Sequence, residues 1–286
     1  MLYRFISLLD VRFKKNNGLK VLFFLVINII KYKVFSAKKW IHSIDRPIIH
    51  LYAVSWNEAK ILPFVMEYYL SFVDHFYIYD NYSDDETDEL LNKYPQVTVQ
   101  KYDTGGTFND VVHQQIKNTV WKQSRAKADW VIVIDMDELI YHPELIAKLS
   151  DKNNKATIYK PKGFDMVTTE FPDASKPIIE TVQKGVPSFW LDKCILFNPN
   201  KIVDINYLPG AHECYPEGIV RFDEYTTKLL HYKYIGFDYV MSRIFSYRKR
   251  ISQVNIEMDY GMHYFEEDQL IRAKFNKFVS EAAGVI

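Results

Sequence analysis

Residues 130–139 read Trp-Val-Ile-Val-Ile-Asp-Met-Asp-Glu-Leu, an unbroken apolar run that ends in an acidic motif. A short apolar run without polar alternation predicts a strand buried on both faces, as at the centre of a parallel sheet. Asp135 and Asp137, two apart at the strand end, can both turn toward one hard cation. Such a cation prefers oxygen ligands and often bridges carboxylates to substrate phosphates. Read alone, the motif is equally an acidic loop in water; its place after a central strand is what makes it a candidate site.

Upstream, the chain alternates strand and helix. Residues 47–54 (PIIHLYAV) predict a buried strand. Residues 58–72 predict a helix with Ile61, Leu62, Val65, Met66 and Tyr69 at helical spacing. Strands follow at 76–79 and 97–102. An acidic-headed helix is expected at 84–94, and a long helix capped by Asn109 runs to about residue 127. This order defines an α/β fold, a Rossmann-like, mostly parallel sheet with helices on both faces. Ligands of such sheets bind beyond the carboxyl ends of the strands. Those ends, 55–58, 80–85, 102–107 and 135–138, are all polar or acidic, which points to one cleft. The second half is less regular. Strands are expected at 155–160, 165–169, 193–197 and 225–231, and helices at 237–251 and 265–283.

Other chemistries fail on the residues. A haloacid-dehalogenase-type phosphatase needs Thr or Val two places after its second Asp and uses its first strand. Here Glu138 and Leu139 follow Asp137, on the fourth strand. A Walker-B role for Asp135 would need a P-loop, and no G-x-x-x-x-G-K-[ST] occurs in the chain. Nucleotidyl transfer on a similar fold expects a glycine-rich loop after the first strand, whereas Ser55-Trp56-Asn57-Glu58 has no glycine.

A second cluster flanks the first two strands: Asn57-Glu58, Leu62-Pro63, then Tyr79-Asp80-Asn81-Tyr82-Ser83-Asp84. Carboxylates and amides there can meet a ribose or a base. Alternatively, Asn57 and Asp84 cap the helices that follow them. Taken with Asp135-Met136-Asp137-Glu138-Leu139, then Lys193-Cys194-Ile195-Leu196, Gly210-Ala211-His212 and Leu230-His231-Tyr232-Lys233, the order and spacing resemble family 2 glycosyltransferases. The likeness is to their bacterial branch and the related family 92, and it covers roughly residues 47–250.

The resemblance implies a GT-A fold, with a smaller mixed region on the acceptor side. It implies Mn²⁺ or Mg²⁺ held by Asp135 and Asp137, with His231, or failing it His212, completing the metal shell. It implies a nucleotide-diphospho-sugar donor bordered by Asn57, Glu58, Asp80, Asn81 and Asp135. Lys193, Lys233 and Arg243 are expected at the diphosphate. An inverting enzyme needs a carboxylate base. The Glu-Asp pair that many relatives carry downstream is missing here, and Glu213 and Asp192 stand as candidates. The expected activity is transfer of a sugar to a glycan or lipid-linked acceptor in surface polysaccharide or lipopolysaccharide synthesis. The alternative is a non-catalytic sugar-nucleotide or glycan-binding relative.

The expected organisation is a basic amphipathic arm over residues 1–46 and a catalytic domain over 47–286. The domain divides into a nucleotide-binding half, 47–140, and an acceptor half with the C-terminal helices, 141–286. Net charge is zero, yet residues 1–40 carry nine Lys and Arg against Asp10 alone, so the body is acidic. An acidic body repels phosphate backbones, so nucleic acid is not expected as a partner. The apolar run Val21–Ile30 is half the length that crosses a bilayer, about 20 residues. It reads either as a monotopic anchor on an anionic membrane surface or as a core helix. The first reading sets the arm apart from the catalytic core and places the protein at the inner face of the cell membrane. Two cysteines, Cys194 and Cys214, make neither a disulfide framework nor a zinc site by themselves and fit a reducing, cytoplasmic compartment. Aromatics reach 16%, with 21 Tyr and 19 Phe; this suits cleft walls with one wet edge, or simply reflects codon usage.

Overall fold

The structure, a computed structural model, describes residues 18–41 and 45–286. Its helices are α1 (Gly18–Ile41), α2 (Leu62–Leu70), α3 (Thr87–Leu91), α4 (Asp110–Thr119), α5 (Leu145–Ser150), α6 (Ile178–Thr181), α7 (Phe237–Arg248), α8 (Gln253–Glu257) and α9 (Asp268–Glu281). The strands that build the main sheet are β1 (Ile49–Ser55), β2 (His75–Asp80), β3 (Val97–Lys101), β4 (Trp130–Asp135), β5 (Glu138–Tyr141), β6 (Ile158–Thr168), β7 (Lys184–Pro187) and β8 (Leu196–Phe197). Strands β9 (Ile202–Asp204) and β10 (Glu217–Gly218) form a separate ribbon. The chain ends with β11 (Phe222–Ile235) and β12 (Ala283–Gly284).

This is an α/β fold on a mixed sheet. Its first half is parallel, in the order β3-β2-β1-β4. Every residue of β1 is buried, and β4 is buried up to Asp135. Alternate residues serve opposite cores. Leu51, Ala53, Ile132 and Ile134 pack with Phe64 and Tyr69 on one face, while Tyr52, Val54, Val131 and Val133 pack with Trp121 and Phe197 on the other. The apolar run at 130–134 is therefore covered on both sides.

Beyond β4 the expectation of a mostly parallel sheet gives way. Strand β8 lies antiparallel to β4 and β6, and β7 antiparallel to β6; only β11 runs parallel to β6. A parallel neighbour requires a crossover of a dozen or more residues, commonly helical. The link between β4 and β5 is only Met136-Asp137, and the chain turns through it to pair β5 antiparallel with β11. The strands expected at 155–160 and 165–169 are one continuous β6.

Helix α2 starts at Leu62, not residue 58, with Pro63 in its first turn and no side-chain cap. The Asn57 side chain instead pairs with Asp84, accepting from its N–H at 2.9 Å. Asn57 is thus a clasp between two strand ends and takes a left-handed backbone, φ 53°. Helix α4 is capped by Asn109, which accepts from Val111 and Val112 N–H, but it ends at Thr119 and continues as a 3₁₀ turn to Ser124.

The arm is described only in part. Arg4, Arg12, Lys14 and Lys15 lie outside the described residues. The described part, α1, is not separate from the body. Val21 and Leu25 pack on Ile219, and the Arg125 guanidinium sits 4.3 Å from the Phe24 ring centroid. Asp129, immediately before β4, accepts from Tyr32 Oη at 2.7 Å, Lys39 Nζ at 2.6 Å and Ile48 N at 2.8 Å. The apolar run thus divides by face: every third or fourth residue meets the body, while Phe23, Val26 and Ile30 between them stay exposed. Among the described residues no helix is long and apolar enough to cross a membrane.

Asp129→Ala removes the acceptor shared by these three donors and leaves the Lys39 ammonium with the Arg46 carbonyl but no carboxylate. The expected cost is about 2 kcal/mol in chemical denaturation. It should come with rapid proteolysis between α1 and β1, and wild-type resistance to cleavage would show that α1 is held by its apolar face alone.

Candidate active site

The carboxyl ends of β1 and β4, α4, the start of α7 and the segment 190–213 surround a cavity of about 790 Å³. This volume suits a sizeable small-molecule ligand. Asp135 and Asp137 face it from the β4–β5 turn, while Met136 between them points into the core with 2% exposure.

The two aspartates differ in their partners. Asp135 is clamped by two ammonium groups, Lys117 Nζ at 2.6 Å and Lys193 Nζ at 3.2 Å. Lys193 also meets the buried Glu138 at 2.5 Å, and Glu138 accepts from the Asp135 N–H at 3.1 Å. Burial would raise the Asp135 pKa, but Lys117 and Lys193 outweigh it and hold the carboxyl well below its usual range. The same burial opposes the charge on Lys193, and Glu138 and Asp135 overcome it and push that ammonium upward. The Lys193 expected at a diphosphate is therefore already engaged by two protein carboxylates.

Asp137 instead faces His231, whose Nε2 lies 3.3 Å from Oδ2; the other ring nitrogen, Nδ1, lies 2.7 Å from Asp165. Burial would neutralise this imidazole, yet Asp137 and Asp165 raise its pKa to about 10. Against the same burial, His231 and then Arg243 lower Asp137 to about 2. A carboxylate on one ring nitrogen, as Asp165 is on Nδ1, orients the other nitrogen in the way common to metal-ligating histidines. Strand register explains the placement: His231 is opposite Glu138 across β5 and opposite Asp165 across β6.

Glu58 and Arg243 form a third pair. Arg243 Nη2 donates to Glu58 Oε1 at 2.6 Å and to Tyr247 Oη at 2.9 Å, and Nη1 donates to the Asn57 carbonyl at 3.1 Å. Burial lifts the Glu58 pKa to about 8 in spite of Arg243, and its Oε2 has no partner among the described residues. Lys233 lines the cavity and reaches His263 Nε2 at 3.4 Å; burial lowers its pKa.

The first two strand ends part company. Asp80 is fully buried and lies behind the wall. It accepts from Ser83 N and Oγ and from Lys101 Nζ, which makes it a pin for the 80–84 turn. Asn81 lines the cavity, with its amide donating to Thr104 and Thr107. A side chamber opens between Trp56, Asn81 and Asp103, with the Arg250 guanidinium stacked 3.5 Å from the Trp56 ring centroid.

Of the two candidate bases, Glu213 is exposed at the cavity rim. Asp192 is not part of the lining; its Oδ1 accepts from Gly163 N–H at 2.8 Å. His212 lines the cavity but lies by Trp190, not by the Asp137–His231 pair. The fold brings Lys117, Asp165, Arg250 and Trp56 to the cavity region; sequence reasoning missed the first three and gave no role to Trp56, although it stands next to Asn57-Glu58. It also missed Asp110, a cavity carboxyl that burial raises to about 6.

The sequence pattern of glycosyltransferase family 92 matches residues 51–269, and the chain belongs to that family. It is a transferase enzyme that moves a sugar. No curated protein matches the chain. A 4-diphosphocytidyl-2C-methyl-D-erythritol synthase from Anaerococcus prevotii shares 12% identity, over 55% of this chain and 72% of its own, with a TM-score of 0.29. HddC from Yersinia pseudotuberculosis shares 11% over 64% and 92%, with a TM-score of 0.33. At these scores the overlaps carry no argument.

The raised His231 pKa has a signed consequence. The folded protein holds this proton more tightly than the unfolded chain, whose histidines titrate near 6.5, so the stabilisation is complete below that pH and is lost toward pH 10. Metal-free wild type should lose on the order of 2 kcal/mol more than His231→Gln between pH 7 and 10, read from urea midpoints. Parallel pH curves would show that His231 is not the shared proton carrier.

Proposed function

We propose that this enzyme transfers a sugar from a nucleotide-diphospho-sugar to a glycan or lipid-linked acceptor with the help of Mn²⁺ or Mg²⁺, on a GT-A arrangement. The observation that carries the reading is the charge balance of the cavity floor. Lys117 and Lys193 are engaged by Asp135 and Glu138, Arg243 by Glu58, and His231 by Asp137 and Asp165. A diphosphate entering this floor brings negative charge that these paired cations do not offset, which favours entry together with a divalent cation.

Among the described residues no group of three or more His, Cys, Asp or Glu is arranged to hold a metal ion. Asp137 and His231 nonetheless fit a hard cation shared with a substrate, since such ions are commonly held by one or two carboxylates plus phosphate oxygens and water. To ligate, His231 would give up the Nε2 proton that it shares with Asp137. Asp165 would keep the His231 Nε2 directed at that ion. When bound, the ion would neutralise the leaving diphosphate. Lys233 and Arg250 are basic side chains of the lining without a carboxylate salt bridge among the described residues and would meet the phosphates, and the pair Glu58–Arg243 positions the wall. Trp56 and Asn81, in the 47–140 half, would border the nucleotide. Glu213, at the rim contributed by the 141–286 half, would take the proton of the acceptor hydroxyl.

Asp137→Ala should lower Mn²⁺-dependent release of nucleoside diphosphate, screened over a panel of nucleotide-sugars, by about two orders of magnitude. Turnover and metal requirement matching wild type would end the assignment.

The setting we infer is surface polysaccharide or lipopolysaccharide synthesis at the inner membrane face. Helix α1 supports it. The side turned away from the body exposes Phe23, Val26, Ile30, Val34 and Trp40 beside the exposed Lys31, Lys33 and Lys38, and the helix has no acidic residue. Replacing Phe23 and Ile30 together by Ser should weaken co-sedimentation with anionic liposomes at least about tenfold, because each large apolar side chain adds roughly 1.5–3 kcal/mol on burial. The same partition for wild type and variant would remove the membrane from the reading.

A further inference from the structure

The cavity rim carries an aromatic group that the donor reading leaves unused. Trp190 lines the cavity and is 58% exposed, and Phe189 beside it is 68% exposed. Large aromatic side chains usually bury their faces; two adjacent ones left open at a site call for a ligand.

Their seat is rigid. The turn Phe189–Leu191 is fixed to β6 at Gly163, whose carbonyl accepts from Ser188 N–H at 3.0 Å and whose N–H donates to Asp192 Oδ1 at 2.8 Å. The approach is so close that a Cβ on Gly163 would lie 2.3 Å from Leu191 Cβ. Leu191 is the buried plug between the turn and the core. Asp192, the second base candidate, thereby acquires a role in positioning this turn. The Phe189 ring backs the indole at a centroid distance of 4.8 Å and a tilt of 34°.

The polar edge of the platform is equally defined. The Trp190 carbonyl can only accept, so the His212 Nδ1 at 2.6 Å must carry the proton. The His212 ring stands edge-on to the indole, 5.7 Å away. Burial lowers the His212 pKa to about 4, so the ring stays neutral and its Nε2 keeps a lone pair. Glu213 follows at the same rim. Its carboxylate accepts from Tyr215 Oη at 3.2 Å, so the lining that carries the indole also carries the His212 ring nitrogen and a carboxylate as hydrogen-bond acceptors.

We infer that Trp190, flanked by His212 and Glu213, is the acceptor subsite and that it takes an uncharged pyranose. The C–H face of a sugar ring stacks on an indole, its hydroxyls donate to the two acceptors, and the Glu213 carboxylate disfavours acidic or phosphorylated sugars. The inference rests on the transferase reading for its place in the reaction, and its binding chemistry is testable apart from it.

The test is binding of labelled full-length protein to an array of immobilised neutral and acidic oligosaccharides, for wild type, Trp190→Ala and Trp190→Tyr. The indole is mostly exposed, so its removal opens no core cavity; thermal melts of each variant check the fold. Wild type is expected to retain glycans with neutral terminal pyranoses. Trp190→Ala should bind them about three- to tenfold more weakly, the factor that an aromatic contact supplies, and Trp190→Tyr should recover most of the loss. Equal binding by wild type and Trp190→Ala, including none by either, overturns the platform, and preference for acidic sugars overturns the ligand class. If glycan binding depends on Trp190 while wild type hydrolyses no nucleotide-sugar, the donor reading fails and the subsite stands.

Discussion

A buried ammonium between two carboxylates holds the centre of this molecule together. Lys193 lies 3.2 Å from Asp135 and 2.5 Å from Glu138, with Lys117 closing on Asp135 from α4. Desolvating such charges is expensive, and removing one partner of a buried set typically costs about 3–5 kcal/mol because it strands the others. The arrangement survives because the charges nearly cancel and because Glu138 also accepts the Asp135 N–H. That bond fixes the turn at which the sheet changes from parallel to antiparallel. The direction of β5, the pairing of β11 and the position of His231 all follow from it.

The turn also separates two functions that the motif's spelling merges. Asp135 is paired with Lys117 and Lys193 at the cavity floor, while Asp137, two residues on, faces a histidine. The difference comes from neighbours that lie far away in sequence: Lys117, 18 residues before Asp135, and His231 on β11.

Local patterning carried the first half of the fold. The buried β4, the parallel strands, the polar strand ends and the Asn109 cap were legible because they depend on nearest neighbours and on side-chain period. The second half was less so: β6 and β11 are long strands whose pairing rests on register between segments about 65 residues apart. Asp80 shows the same limit within the site. Its position at a strand end was right, but whether a carboxylate there meets ligand or pins its own turn depends on Ser83 and Lys101, and nothing in spacing distinguishes the two. Glu213 and Asp192 were indistinguishable in sequence because what separates them is a backbone N–H of Gly163. Trp190 gave no signal, since an exposed and a buried tryptophan are spelled alike.

Helix α1 bears on mechanics. Its polar attachment to the body gathers at Asp129, which also holds the Ile48 N–H just ahead of β1 and directly precedes β4. Strands β1 and β4 are hydrogen-bonded neighbours inside the sheet, with β2 on one side and β8 on the other. Any force applied along α1 therefore enters at the amino ends of two interior strands and spreads across several hydrogen-bond ladders at once. An anchor tied to an edge strand would instead concentrate tension on one ladder and peel it bond by bond. By this route the protein can be tugged at its arm while the cavity, at the far ends of the same strands, keeps its shape.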